Sequence, residues 1–390
     1  MKTLNIVLDF NNLCMRSLFA CQYMGDANVK NFDTDEECAV LARKIVTDVC
    51  YVMNTFSADR VILACDAKYP WRHDLYKDID GQSYKGNRVK DEDKNWEKIF
   101  ATFDDVRDVL VDRGVVASLI DRAEADDVAA MWKNVLYTEE KENLVLVSSD
   151  KDWTQLVDFD ENHSCYCICY NPISNNKGKR NLYLTESMFT WLHSEETTDI
   201  FFSNYNYNKN SLKNAIANDP KINCIPIDPC SVVIEKVMCG DDGDNVPTFF
   251  EYYKNGRKMR VTPLKAQHVF NNLNISCVEH LVTAVENNTL KESLEKEMKY
   301  TIDIDFCERL DRQRRLVELN VNFFPKHIRL KFAFHVDSVA SRGFTVDLPK
   351  TMQEMLSDTK YISKDFQKSK ENSIFATLDL DKYSKQHILF

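Results

Sequence analysis

An α/β chain, with a parallel β-sheet flanked by helices in its first half and a mostly helical second half, is predicted by two features of the sequence. Four short apolar runs, Leu4–Leu8, Val61–Ala64, Val115–Leu119 and Leu144–Val147, read as strands buried on both faces, and longer amphipathic stretches separate them. Beyond residue 193 the pattern changes to a polar connection and then to helical spacing. Strands alternating with helices of this length imply a parallel sheet covered on both sides, which binds its ligands beyond the carboxyl ends of the strands.

In chain order, the first strand ends at Asp9, and helical spacing follows over 35–57. The second strand leads to Asp66. A helix over 96–113, with Ile99, Phe103, Val106 and Leu110 on one face, precedes the third strand, and Glu124, Asp126 and Asp127 stand at the start of a helical pattern over 124–137. The fourth strand runs into Asp150 and Asp152. Cys165, Cys167 and Cys169 alternate with Tyr166, Ile168 and Tyr170, which is strand periodicity. Residues 194–230, rich in Asn, Ser, Thr and Asp and closed by Pro220, Pro226 and Pro229, read as an insertion or irregular connection. The helical pattern spans 231 to about 320, including Val232–Met238, and the last 30 residues are Lys- and Ser-rich before Gln386-His387-Ile388-Leu389-Phe390. The organisation expected is a core at 1–193 with a basic, aromatic segment at about 67–95, the connection 194–230, a helical domain at 231–325, and an extension and tail at 326–390.

The 390 residues, 44% hydrophobic with nine Gly and nine Pro, exclude a disordered or collagen-like chain. No apolar run approaches the ~20 residues that span a bilayer, and the N-terminal stretch meets Asp9 too soon for a secretory signal. A soluble, cytoplasmic protein without a membrane partner is expected. The thirteen cysteines form no pair of C-x₂₋₄-C motifs, so reduced thiols are expected rather than a zinc site. The net charge of −11 argues against general affinity for nucleic acid, unless the acids are concentrated in one place.

They are. Asp9, Asp66, Glu124, Asp126, Asp127, Asp150 and Asp152 all follow strand ends, so a parallel sheet brings them to one edge. Each could cap a helix, but caps do not require doubled and tripled acids. Close like charges cost about 1–4 kcal/mol per pair even at high effective dielectric, and divalent cations are the economical compensation. Oxygen-only ligands select Mg²⁺ or Mn²⁺, and two such ions ~3.5–4 Å apart form a phosphodiester-cleaving centre. Glu124 and Asp127 share a helix face while Asp126 points aside, so all three converge only if Glu124 lies on the turn before the helix. The loop Gly240-Asp241-Asp242-Gly243-Asp244-Asn245 has no Glu at the twelfth position of a calcium loop, where Tyr252 stands; it is read as presenting Asp241 and Asp244 to the same metals. Without these nine, 52 acids face 50 bases. Trp71-Arg72-His73 and Tyr84-Lys85-Gly86-Asn87-Arg88, beside Asp66, suit a segment that stacks a base and holds phosphates.

Ile6-Val7-Leu8-Asp9, Cys65-Asp66 with Trp71-Arg72 and Tyr84 to Arg88, Glu124-Ala125-Asp126-Asp127-Val128-Ala129, Ser148-Ser149-Asp150-Lys151-Asp152-Trp153 and Gly240 to Asn245 occur in a characteristic order. In them the chain resembles the flap endonuclease superfamily of structure-specific 5′-nucleases, in particular bacteriophage members of the T-even ribonuclease H type, over roughly residues 1–320. The resemblance implies a PIN-like parallel sheet followed by a helix-hairpin-helix-like domain. It implies two Mg²⁺ ions, with Mn²⁺ as substitute: one at Asp66, Glu124, Asp126 or Asp127, and Asp150, the other near Asp152, Asp241 and Asp244, with Asp9 in the same cluster. Lys85 and Arg88, at the foot of a helical arch, would join Asp66 and Asp150 in catalysis by contacting the scissile phosphate. Tyr84 would stack the terminal base, with Trp71 and Arg72 beside it. The family's glycine-rich hairpin is absent from Thr248 to Arg260, so Lys254, Arg257, Lys258, Arg260 and Lys265 are assigned to phosphates instead of a potassium site, and Pro263 to the first turn of the next helix.

The activity implied is 5′→3′ cleavage of DNA flaps and RNA·DNA hybrids, removing primers in phage replication, by a monomer in the host cytoplasm. The tail would tether a sliding clamp or single-strand-binding protein, or fold back on the domain. Two rivals are a PIN-type ribonuclease, which lacks the Gly240 loop and the arch, and an inactive DNA-binding scaffold, which gains nothing from negative charge beside DNA.

Overall fold

The computed structural model describes residues 3–24, 31–75, 84–86, 93–194, 203–249, 251–254, 257–302 and 304–342. The first half contains β1 (Leu4–Asp9), α1 (Phe10–Met24), α2 (Asp35–Phe56), β2 (Arg60–Cys65), α3 (Arg72–Leu75), α4 (Trp96–Asp112), β3 (Val116–Leu119) and α5 (Ala125–Trp132). A π-helical turn over Lys133–Glu139 extends α5. Then come β4 (Asn143–Val147), a 3₁₀ turn at Lys151–Leu156, β5 (Asp158–Asp160), β6 (Cys165–Ser174), β7 (Arg180–Thr185) and α6 (Glu186–His193).

The sheet runs β3-β2-β1-β4-β6-β7 and continues to β8 (Ile222–Ile227). Strands β1, β2, β3, β4 and β6 are mutually parallel. β7 turns antiparallel to β6, β8 lies parallel to β7, and β5 pairs antiparallel with β6. The mostly parallel sheet flanked by helices is the architecture the apolar runs predict. Alternate side chains supply two separate cores, as burial on both faces requires. Ile6, Leu8, Val61, Leu63, Val145, Val147, Tyr166 and Ile168 pack with α1, α2 and α4. Val7, Ile62, Leu144, Leu146, Cys165, Cys167 and Cys169 pack with α5 on the opposite side. The cysteines of β6 are thus small core residues, and all thirteen in the chain are free thiols.

The stretch 194–230, expected to be irregular, carries regular structure in its described part: α7 (Ser203–Asn218) and the sheet strand β8. Leu212 and Ala215 join the core against α2, and Asp219 accepts hydrogen bonds from Tyr51 at 2.8 Å and Arg180 at 2.5 Å. Two or three apolar anchors suffice to hold a helix whose other residues are polar, and so sparse a stripe does not stand out in composition.

A third core is built by α8 (Pro229–Cys239), α9 (Pro263–Leu273), α10 (Val278–Glu286), α11 (Thr289–Met298) and α12 (Phe306–Val317), with a hairpin of β9 (Glu251–Lys254) and β10 (Arg257–Arg260) between α8 and α9. Pro263 does occupy the first turn of α9. The chain then returns to the sheet: α13 (Lys326–Arg342) packs against α5. Phe324, Ile328 and Phe332 join the core beneath that helix, and the His335 ring lies 2.8 Å from Ser118 Oγ. No helix among the described residues is long and apolar enough to cross a membrane. The tail 343–390, including Gln386 to Phe390, lies outside the described residues.

Candidate active site

The carboxyl ends of β1, β2 and β4 and the start of α5 supply the acids at the sheet edge. Several use one oxygen to close a turn. Asp9 Oδ1 accepts from the Asn12 amide at 3.1 Å at the start of α1, and its Oδ2 accepts from Ser148 Oγ at 2.7 Å. Asp66 Oδ1 accepts from the Ala125 amide at 2.8 Å, which joins the end of β2 to the start of α5. Asp150 caps the short turn after β4 through the Asp152 amide at 2.9 Å. Capping and clustering therefore coexist, because a carboxylate has two oxygens and a cap needs one.

These acids act on one another through their charges. Burial pushes the Asp9 carboxyl up to about 7, and the charges of Asp66 and Asp150 push the same way. Asp126 is likewise raised, by burial and then by Asp150, with Glu124 and Asp9 adding to it and Lys85 opposing. Its Oδ1 is held by Trp153 Nε1 at 2.6 Å. Asp9, Asp66, Asp126 and Asp150 thus share one electrostatic neighbourhood.

Glu124 is the N-cap of α5, on the turn before the helix, and the three acids of this motif diverge from there. Asp127 is fully buried, and its Oδ2 accepts from Trp71 Nε1 at 2.9 Å and from the Glu124 amide at 3.1 Å. Arg72, 1% exposed, lies between Glu124 Oε2 and Asp127 Oδ1, 2.8 Å from each. Tyr84, 3% exposed, holds its hydroxyl 3.0 Å from both Glu124 Oε2 and Asp244 Oδ2, which compete for its single proton. Burial would raise the Glu124 carboxyl, but Arg72 and Lys85 outweigh it and hold the group below the usual range.

These placements depart from the sequence expectation at four residues. Trp71, Arg72 and Tyr84 were assigned to nucleic acid on their aromatic and basic character, yet all are buried and hydrogen-bonded to the acids behind the cleft. Asp127 belongs to that inner network and not to the Asp9–Asp150 group. The cause is charge pairing: two buried carboxylates on one helix turn require an internal cation and donors.

Lys85 and Asp244 connect the two units. The Lys85 amide donates to the Asp244 carbonyl at 2.9 Å, and the Lys85 ammonium pairs with Glu124 and lies 3.6 Å from Asp244 Oδ2. The same ammonium lies over the Tyr84 ring, 5.1 Å from its centroid. Burial works against this charge, but Glu124, Asp244 and Asp126 prevail and keep the ammonium protonated. Sequence reasoning missed Lys236, in the last turn of α8, which pairs with Asp152 and with Asp241 Oδ2 at 2.5 Å. A basic residue in the last turn of a helix that runs into an acidic loop is the signal that could have found it. Gly240 makes that loop possible: at φ 69°, a Cβ there would lie 2.4 Å from the Val246 carbonyl oxygen, which receives the Asp241 amide at 2.9 Å. Only glycine fits.

Among the residues assigned to phosphates, Arg257 is exposed and Arg260 pairs with Asp242 at 2.9 Å. Lys265 is half-buried in the first turn of α9. Arg88 and the side chains of Lys254 and Lys258 lie outside the described residues. Among the described residues no three acidic, His or Cys side chains already converge at metal-binding distance; Lys85 and Lys236 hold part of the acid set in ion pairs.

The carboxyl edge of this α/β sheet gathers acids from several strand ends, joined by an acidic loop from a helical unit, an oxygen-rich donor set of the kind hard divalent cations take. Residues 4–187, a little under half of the chain, match the model of the 5′-3′ exonuclease, N-terminal resolvase-like domain. A 5′-3′ exonuclease of Mycoplasmopsis pulmonis is 21% identical over 277 residues, covering 70% of this chain and 74% of that protein. The bacteriophage T5 flap endonuclease co-crystallised with metal ions superposes with a TM-score of 0.50 at 17% identity, covering 94% of this chain and 98% of that one. A variant of the T5 enzyme in a pseudo-enzyme-product complex with DNA and metal ions gives 0.50 at 18% identity, covering 95% and 100%.

Proposed function

We propose that the chain is a Mg²⁺-dependent, structure-specific 5′→3′ nuclease that cleaves DNA flaps and the RNA of RNA·DNA hybrids, and so removes primers during DNA replication. The observation that carries this reading is the mutual repulsion of Asp9, Asp66, Asp126 and Asp150, all oxygen donors of the kind hard divalent cations take. The T5 enzyme of the same fold, crystallised with DNA and metal ions, is in keeping with it. Asp66, Glu124, Asp126 and Asp150, with Asp9, would hold one ion, and Asp152, Asp241 and Asp244 the other, with Mn²⁺ as substitute. Bound there, the cations would neutralise phosphate charge and acidify water.

The chain's own residues do the rest. Lys85 presents a permanent positive charge at the mouth of the cleft, between the two acid groups, where it can pass from Glu124 to an incoming phosphate. Arg88, three residues on, is assigned the same role. Lys236 holds Asp152 beside Asp241 and so keeps the helical unit's acids against the sheet edge. A replication clamp or single-strand-binding protein remains the partner proposed for the tail. Product mapping on a 5′-flap duplex and an RNA-primed duplex tests the activity. Short 5′ products from both, abolished by EDTA, are expected; cleavage of structured single-stranded RNA alone would identify a PIN-type ribonuclease, and no cleavage a scaffold.

Cation binding has a second readout. The carboxyl of Asp9 is raised from about 3.9 in the unfolded chain to about 7 in the fold. Between these values the unfolded state has lost its proton and the fold retains it, so metal-free stability falls as pH rises, and the whole penalty is present above 7. Thermal unfolding in EDTA should therefore show Asp9→Asn gaining on the wild type from pH 5 to pH 8. Mg²⁺ should stabilise the wild type more at pH 8 than at pH 6. A pH-independent difference would remove the electrostatic argument.

A further inference from the structure

The turn that carries Asp152 and the loop that carries Asp241 and Asp244 are both tied to the last part of α12, each by a glutamine. Gln155 belongs to the 3₁₀ turn Lys151–Leu156. Residues three apart in such a turn eclipse one another, so Gln155 stands about 6 Å behind Asp152 on the same face. Its Nε2 donates to the Val317 carbonyl at 3.1 Å, and its Oε1 accepts the Leu319 amide at 2.8 Å. Val317 ends α12, where a helix leaves its carbonyls without partners of its own. Gln313, one turn earlier on α12, donates Nε2 to the Pro247 carbonyl at 2.6 Å. That carbonyl is tucked against Gly240, where a Cβ would come within 2.5 Å of it. Asp241 and Val246 exchange amide-to-carbonyl hydrogen bonds across the same loop at 2.9 and 2.7 Å. Gln313 is fully buried, and among the described residues its Oε1 accepts no hydrogen bond. A buried carboxamide with one end unpaired is costly, and a methionine of similar size would fill the space without that cost. Packing therefore does not account for this side chain, whereas its bond to the acidic loop does.

Resting on the nuclease reading above, we infer that Gln155 and Gln313 are positioning residues which, with α12 as a strut between them, set the spacing of Asp152 from Asp241 and Asp244 and thereby the affinity for the second divalent cation. Lys236 also pairs with Asp152 and Asp241, but a cation that takes those carboxylates competes with its ammonium. The neutral ties of the two glutamines then hold the spacing. Because both act through one helix, releasing either end frees the same distance, and a second release adds little.

The test titrates the full chain with Mn²⁺, following bound ions and their affinities by electron paramagnetic resonance and calorimetry, and measures 5′-flap cleavage against Mg²⁺ concentration. Gln155→Ala and Gln313→Met should each weaken the second ion about 10- to 100-fold, the usual effect of removing a partner behind metal ligands, and leave the first ion's affinity unchanged. The Mg²⁺ concentration for half-maximal cleavage should rise in proportion, and saturating Mg²⁺ should restore the wild-type kcat, which it would not do for a misfolded chain. The double variant should bind the second ion as the weaker single variant does. Gln155 is half-buried, so Gln155→Ala carries the test alone should Gln313→Met fail to fold. Wild-type affinity for both ions in the single variants, an equal loss for both ions, losses that add in the double variant, or a cleaving wild type that takes up one ion overturns this inference alone. A wild type that cleaves no flap overturns the nuclease reading itself.

Discussion

Asp150→Asn should lower the rate of flap cleavage at saturating Mg²⁺ by about 10²–10³-fold or more, the scale seen when a preorganised electrostatic group is removed from a reacting centre, while leaving the fold intact. The side chain is exposed, and its structural duty is to accept the Asp152 amide at 2.9 Å. Asparagine caps as well as aspartate does, so that hydrogen bond survives. The substitution also removes a negative charge that raises both Asp9 and Asp126, so the metal-free variant should unfold at the same temperature as the wild type or higher. Stopped cleavage combined with undiminished stability is the expected signature. Undiminished turnover in a correctly folded variant would remove Asp150, and the cluster around it, from the mechanism.

Arg72→Ala should act through stability. The guanidinium lies 2.8 Å from both Glu124 and Asp127, all three residues being almost inaccessible to water. Removing the cation leaves two buried carboxylates uncompensated, which costs about 3–5 kcal/mol and lowers the melting temperature by roughly 6–20 °C. Arg72→Lys should recover part of the loss, since an ammonium supplies the charge but lacks the planar fork that reaches two acids. Circular dichroism melts decide the matter. A variant with wild-type stability and specifically weakened DNA binding would return Arg72 to the surface role that its sequence context suggested.

That contrast marks where the sequence is legible. The β1–β4 strands could be read because a strand buried on both faces has no polar alternation to hide it, and the acids could be placed because each follows such a run. What a linear pattern does not reveal is which charges meet inside. Arg72 and Glu124 are separated by 52 positions, and the same basic-aromatic string describes a surface that grips phosphate or an interior that neutralises carboxylates. The motif around Glu124 is similar: its spacing shows that Asp126 and Asp127 point apart, but only the fold shows that Asp127 turns towards Trp71 and Arg72. Lys236 escaped notice because its two partners come from different units, one after β4 and one after α8. The stretch 194–230 looked irregular because α7 and β8 are held by a few apolar anchors and one buried Arg–Asp pair.

The return of α13 to the sheet bears on how the molecule comes into being on the ribosome. Phe324, Ile328 and Phe332 fill the core under α5, and Trp71 packs on Phe324 at 6.1 Å between ring centroids. The face of the sheet beneath the acid cluster is therefore incomplete until the chain beyond residue 332 has left the exit tunnel. The helical unit in between must already have emerged by then. The acids of the two units thus reach their final positions only once the chain through residue 332 is available, and a nascent chain shorter than that holds the carboxylates without the scaffold that aligns them.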